Sequence, residues 1–130
     1  MNLTVDTTYR SELPEIMDDL DMKGEQLRKT LDKISAINRK LGGNRLTLQG
    51  VKRLLKQVPK STTIRIMDVG CGNGDMLRDL ADLADATGRN FSLVGIDANE
   101  DAVAYARNMS LHYPDIAYEH QNIFHSTFET

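Results

Sequence analysis

The sequence predicts an α/β fold: about three parallel strands with helices on the faces, preceded by a helical region. Three observations predict it. Ile64, Ile66, Met67 and Val69 form a short apolar run that stops at Gly70, Gly72 and Gly74. Beyond those glycines Met76, Leu77, Leu80, Leu83 and Ala84 recur at helical spacing, so the hydrophobic period changes from strand to helix across the turn. A second strand-like run, Phe91, Leu93, Val94 and Ile96, is followed by helix-spaced Ala102, Val103, Ala106 and Met109, and a third run covers Ile116 to Tyr118. Short strands alternating with helices of this length read as βαβ units, whose crossovers pair the strands in parallel.

The elements follow in order. Met1 to Tyr9 has no periodicity and reads as a tail. Ser11 to Leu20 suits a short helix with Pro14 in its first turn and Glu12, Glu15, Asp18 and Asp19 on exposed faces. From Glu25, the positions Leu27, Leu31, Ile34, Ile37 or Asn38, and Leu41 follow an amphipathic helix, which Gly42 and Gly43 end. Thr47 is placed to cap a second helix with Leu48, Val51, Leu54, Leu55 and Val58 inward, closed by Pro59. A break at Pro59 to Thr62 divides the chain into a helical extension over residues 1–60 and an α/β part over residues 61–130. The extension is expected to supply a lid, part of an acceptor pocket, or an outer layer covering the sheet. The amphipathic pair would pack on the sheet, with Tyr9 to Met17 nearer the site.

The glycine turn is the candidate binding element. Glycines there let the backbone take positive φ and let a ligand approach with no Cβ in the way, and the helix beyond offers unpaired N–H groups. Surrounding charge narrows the ligand. The dinucleotide pattern is G-x-G-x-x-G, with a pyrophosphate on the helix N-terminus. Here the spacing is G-x-G-x-G, with Asp68 at the strand end and Asp75 at the helix start. Two carboxylates would repel a pyrophosphate and suit a cation. Asp97 ends the second run twenty-three residues after Gly74, where an acidic residue can accept hydrogen bonds from ribose hydroxyls. That feature fits any bound adenosine. Asn99 is placed to cap the following helix.

The stretch Asp68, Gly70, Gly72, Gly74, an acidic residue followed by x-G-x-G-x-G, resembles the glycine-rich motif of class I (Rossmann-like) S-adenosylmethionine-dependent methyltransferases. The likeness covers Thr63 to Phe124. It implies a strand order of 3-2-1 and S-adenosylmethionine as cofactor, with Cys71 as the small residue facing it. It also implies that Asp97 holds the ribose, and that Ala98 and Asn99 flank the adenine edge. Methyltransferases of this class commonly carry an Asp and then an apolar residue after the third strand. This chain has Asn122 and Ile123, and Asn122 can still accept a bond from the adenine amino group through its amide oxygen. The implied reaction is in-line methyl transfer to a small-molecule acceptor. The tract Arg10 to Gly43, with MDD and INRKLGG, is similar to small bacterial methyltransferases of polyketide or quinone-like products and suggests O-methylation. No catalytic residue is identified, since Tyr9, Arg10 and His125 are candidates by position alone. The rival readings are an NAD-dependent oxidoreductase fragment and a non-catalytic fragment that binds cofactor or a partner chain.

Composition bounds the rest. With 40% hydrophobic and 27% charged residues in 130, the profile is that of one soluble globular domain. No apolar stretch approaches a membrane span and no signal peptide begins the chain, so no membrane partner and a cytoplasmic location are expected. A net charge of −3 argues against nucleic acid as a partner. Arg45, Lys52, Arg53, Lys56 and Lys60 read as a solvated face, because no aromatics are interleaved with them. His112, His120 and His125 match no metal-ligand spacing, and a lone Cys71 without a nearby His is not expected to act as a thiol nucleophile. The likeness implies seven strands where this sequence supplies three, so truncation is expected. The far edge of the first strand, over Ile64 to Asp68, would then be open and invite self-association.

Overall fold

The computed structural model describes residues 23–125, and the segment Ser11 to Leu20 lies outside them. Four helices and three strands follow in the order α1 (Gly24–Lys40), α2 (Gly43–Leu55), β1 (Ile64–Val69), α3 (Asp75–Thr87), β2 (Phe91–Asp97), α4 (Glu100–Met109) and β3 (Ile116–His120). β2 pairs in parallel with β1 from Ile64↔Phe91 to Val69↔Ile96, and with β3 from Leu93↔Ile116 to Asp97↔His120. The sheet order β1-β2-β3 is the order the sequence predicts, read from the other edge. All three strands therefore end along one rim, which carries the glycine loop, the β2–α4 turn and the chain after β3.

Both crossover helices lie on the same face. Right-handed connections that step in one direction across a sheet must place them so. That face carries the core: Phe91, Leu93, Ile116 and Tyr118 from the sheet meet Leu77, Leu80, Leu83 and Ala84 of α3 and Val103 and Ala106 of α4. Leu77 and Val103 are fully buried, each contributing about 1.5–3 kcal/mol by removal from water. On the other face Met67 and Val69 are half exposed, and β1 pairs on one side only among the described residues.

The helical pair is tied in from two sides. α2 adds Leu55 to the core, with Leu48, Val51 and Val58 partly buried against it. The Arg89 guanidinium donates to the carbonyls of Leu55, Val58 and Pro59 (2.8, 2.9 and 3.4 Å), closing the end of α2 where backbone carbonyls lack helical partners. α1 does not lie on the sheet as expected. Leu27 and Leu31 instead form a second small cluster with Ala102 of α4.

Several expected positions differ. α2 starts at Gly43 after Gly42 at φ +77°, and Thr47 lies inside it, its hydroxyl donating to the Gly43 carbonyl at 3.2 Å, so Thr47 is not the cap. Ile37 and Leu41 are exposed: at about 100° per residue Ile37 stands roughly 120° round the helix from Leu31, while Asn38 shares the inward side. Leu54 and Met109 are exposed as well. No helix among the described residues is long and apolar enough to cross a membrane.

Candidate functional site

The glycine loop is a left-handed path between β1 and α3. Gly70, Gly72 and Gly74 have φ of +76°, +55° and +81°, a region that non-glycine residues rarely adopt. Its first half is fastened to β2: the N–H groups of Gly70 and Cys71 donate to the Ile96 carbonyl at 2.8 and 3.0 Å, and Gly72 N–H donates to Asp97 Oδ2 at 3.1 Å. Its second half closes on itself through Gly74 N–H to the Cys71 carbonyl at 2.9 Å and Asp75 N–H to Asn73 Oδ1 at 3.0 Å. The three glycines face different surroundings. A Cβ at Gly70 would stand in open space, one at Gly72 would lie 3.3 Å from the Leu31 side chain, and one at Gly74 would collide with the Tyr118 hydroxyl.

A cavity of about 420 Å³ opens between this loop and the helical pair, within the size range of small-molecule sites. The loop contributes Gly70, Cys71, Gly72, Asn73 and Asp75, β1 contributes Asp68, and the wall opposite is built from Leu31, Ile34, Ser35, Asn38, Asn44 and Thr47. Two carboxylates line it and no Lys, Arg or His does. Burial, reinforced by the neighbouring Asp97 carboxylate, holds the Asp68 carboxyl above its ordinary range. Burial and the same two carboxylates push the Cys71 thiol up to about 12, so it stays protonated at neutral pH and is a poor nucleophile. A larger groove of about 640 Å³ between α2 and α3 carries mixed charge from Arg45, Lys52, Asp79 and Asp82 and includes no glycine-loop residue.

α1 is latched across the loop at two points. Asp32 accepts from Asn73 Nδ2 at 3.3 Å and from the Tyr105 hydroxyl at 2.8 Å, and the Arg28 guanidinium sits 5.6 Å from the centre of the Tyr105 ring. Further along, Arg39 Nη2 donates to Asp75 at 2.6 Å and Asp79 at 3.0 Å, while Asn44 Nδ2 donates to the other oxygen of each at 2.9 and 3.0 Å. Two like charges one helical turn apart would repel. One guanidinium and one amide shared between them offset that, and the two carboxylates hold the Arg39 proton more tightly than usual.

The structure brings Asp68, Gly70, Cys71 and Gly72 together on the cavity, and Gly72 connects them to Asp97. Asp97 also accepts from Asn99 N–H through Oδ1 at 2.9 Å, which leaves lone pairs on both oxygens. Gly74, Asp97, Ala98, Asn99, Asn122 and Ile123 do not line this cavity. Asn99 is buried and its side-chain oxygen accepts from Asp101 and Ala102 N–H at 2.9 and 3.1 Å, the helix cap its sequence position suggests. The Ala98 carbonyl accepts from His120 Nε2 at 2.9 Å. Asn122 Oδ1 accepts from Phe124 N–H at 3.0 Å in a turn of its own, and Ile123 is half exposed beside it. Tyr9 and Arg10 lie outside the described residues, and His125 is exposed.

Sequence reasoning did not assign Asp32, Arg39, Asn44, Asn73, Arg78 or Tyr118. The signal for part of this set was the Asp75/Asp79 pair at i, i+4, which demands a cation nearby.

With this geometry in view, residues 60–129, more than half of the chain, match the family described as "Methyltransferase domain". No curated protein matches. Among solved structures, the CMeT domain of the citrinin polyketide synthase is similar over 56% of this chain and 20% of that one, with 24% identity and a TM-score of 0.50. Haemonchus contortus phosphoethanolamine N-methyltransferase 1, in complex with phosphoethanolamine and S-adenosylhomocysteine, is similar over 84% of this chain and 24% of that one, with 17% identity and a TM-score of 0.43. The chain thus spans a quarter or less of the length of either.

Proposed function

The chain belongs to the methyltransferase-domain family, and from that premise we propose that it binds S-adenosylmethionine at the C-terminal rim of its sheet for methyl transfer to a small-molecule acceptor. The observation that carries this reading is the charge of the cavity beside Gly70–Gly74: the Asp68 carboxylate lines it with no basic side chain among its lining residues, while its second carboxylate, Asp75, is held by Arg39 and Asn44. Such a cavity attracts a sulfonium and an ammonium and disfavours the pyrophosphate of a dinucleotide.

When bound, S-adenosylmethionine supplies a methyl group already activated at its sulfonium. The chain's own residues hold and orient. Asp68, poorly hydrated, supplies negative potential at the cavity. Asp97 has acceptor capacity left for ribose hydroxyls. The Gly70 backbone, with open space where a side chain would stand, permits close approach. Leu31 and Ile34 of α1 form an apolar part of the wall opposite the loop. Placement of this kind is worth about 7–11 kcal/mol in well-oriented reactions, and a hydroxyl acceptor would in addition have to give up its proton to a general base. The acceptor proposed is small and polyketide- or quinone-like, methylated at oxygen, on the resemblance of the Arg10–Gly43 tract.

Calorimetric titration with S-adenosylmethionine, S-adenosylhomocysteine and NAD tests the proposal. Both sulfur compounds should bind and NAD should not. Asp68→Asn should weaken S-adenosylmethionine more than S-adenosylhomocysteine, since only the former carries the sulfonium charge. NAD binding in preference to both would favour an oxidoreductase fragment, and no binding of any of the three would end the cofactor reading.

A further inference from the structure

The glycine loop is held from above by β2, but its second half rests on a largely buried polar group that plays no part in the cavity lining. Arg78 projects from the first turns of α3 with its side chain only 12% exposed. Its Nη1 donates to the Asn73 carbonyl at 2.6 Å and to Ser110 Oγ at 3.1 Å. Ser110, at the end of α4, shares a hydrogen bond of 2.8 Å with the Tyr118 hydroxyl of β3, and both residues are 5% exposed. The Tyr118 ring lies directly under Gly74, whose missing side chain makes that approach possible.

A guanidinium largely removed from water is costly unless it is paired and its donors are used. The nearest carboxylate oxygen, Asp75 Oδ1, is 3.9 Å away and already accepts from Arg39 at 2.6 Å. Filling space under the loop would be done more cheaply by an apolar side chain. What an arginine adds is a charge-assisted bond to a backbone carbonyl together with a second, fixed donor direction.

We propose that Arg78, through Ser110 and Tyr118, is a positioning residue that sets the shape of the glycine loop from beneath, turning the Asn73 carbonyl inward and fixing the loop for its ligand. The inference rests on the cofactor reading above for the identity of that ligand. Arg78 touches no ligand in this scheme; it acts through the loop backbone.

The test compares Arg78→Met and Arg78→Lys with Leu83→Ala, which removes a buried side chain of the same helix away from the loop. Two readouts are taken: S-adenosylhomocysteine affinity by calorimetry and hydrogen exchange of the peptide covering residues 70–76. Loss of a charge-assisted bond that fixes a binding loop corresponds to about tenfold or more in affinity. Arg78→Met should show that loss and faster exchange over residues 70–76, Arg78→Lys should recover part of both, and Leu83→Ala should lower stability with affinity and loop exchange near wild type. Should Arg78→Met not fold, Arg78→Lys alone must still show a partial loss in both readouts. Wild-type affinity and unchanged loop exchange in either soluble Arg78 variant, or equal effects from Leu83→Ala, would overturn the proposal while leaving the cofactor reading intact. If the wild-type chain binds no S-adenosylhomocysteine, the cofactor reading fails, and the loop exchange alone still decides whether Arg78 is the brace.

Discussion

Replacing Gly74 by alanine separates two reasons for a glycine that are usually confounded. At φ +81° any L side chain costs about 1–2 kcal/mol in the left-handed region. At this position the new Cβ would also collide with the Tyr118 hydroxyl and lie 2.8 Å from Tyr118 Cζ and 3.1 Å from Arg78 Nη1. Overpacking of that kind costs about 1–3 kcal/mol more, so the sum is about 2–5 kcal/mol against a typical domain stability of about 5–15 kcal/mol. Gly70→Ala is the control: φ is +76°, nothing lies within 4 Å, and only the backbone cost applies. Urea unfolding of both variants, compared at unchanged m, should show Gly74→Ala less stable than Gly70→Ala by about 1–3 kcal/mol. In a Tyr118→Phe background, itself weakened by loss of the Ser110 hydrogen bond, Gly74→Ala should cost less than it does in wild type, because the hydroxyl is gone while Cζ remains. Equal destabilisation by the two alanines in wild type, or an unchanged cost of Gly74→Ala in the Tyr118→Phe background, would refute the collision.

Further outcomes follow from the site's electrostatics and from the edge of β1 that is unpaired among the described residues. The folded Asp68 carboxyl titrates above its unfolded value of 3.8, so the folded state holds that proton more tightly and stability falls as pH rises from about 4 through the raised value. Asp68→Asn should therefore gain on wild type between acidic and neutral pH in urea melts, and a difference independent of pH would contradict it. With its thiol pushed up to about 12, Cys71 should react with iodoacetamide at pH 8 far more slowly in folded protein than in urea; equal alkylation rates would count against the buried, protonated thiol. Ile64 and Gly70 N–H groups point toward β2, so by alternation the backbone groups of Arg65, Met67 and Val69 face outward. Sedimentation at rising concentration should show self-association through that edge, and Met67→Lys should suppress it. A monomer at every concentration would remove the prediction.

Much of the fold was legible because it depends on local periodicity. The change from period 2 to period 3.6 across Gly70–Gly74 located β1 and α3. The cap at Asn99 located α4, and the spacing of the three apolar runs implied parallel pairing. What went wrong was also local in origin: Thr47 looked like a cap because its residue type favours one, but Gly42 and Gly43 already supply a turn and α2 begins there. The pattern alone points Leu41, Leu54 and Met109 inward and leaves Ile37 and Asn38 as alternatives, of which Asn38 reaches the cavity. Apolar character says that a side chain gains by burial, and whether a neighbour arrives to bury it is decided elsewhere.

The candidate site divides the same way. Residue types and their order along the chain were enough to nominate an acidic, glycine-rich loop and a carboxylate at the tip of the next strand, since those depend on backbone conformations that few residues permit. Only the tertiary structure could set Asp32 and Arg39 of α1 across that loop, share Asn44 between Asp75 and Asp79, and slide Tyr118 beneath Gly74. Those contacts join residues 31 to 44 positions apart in the chain, and no propensity or short motif carries information over such separations. They exist because packing one apolar face against another fixes which polar groups come within reach, and buried polar groups then have to find partners.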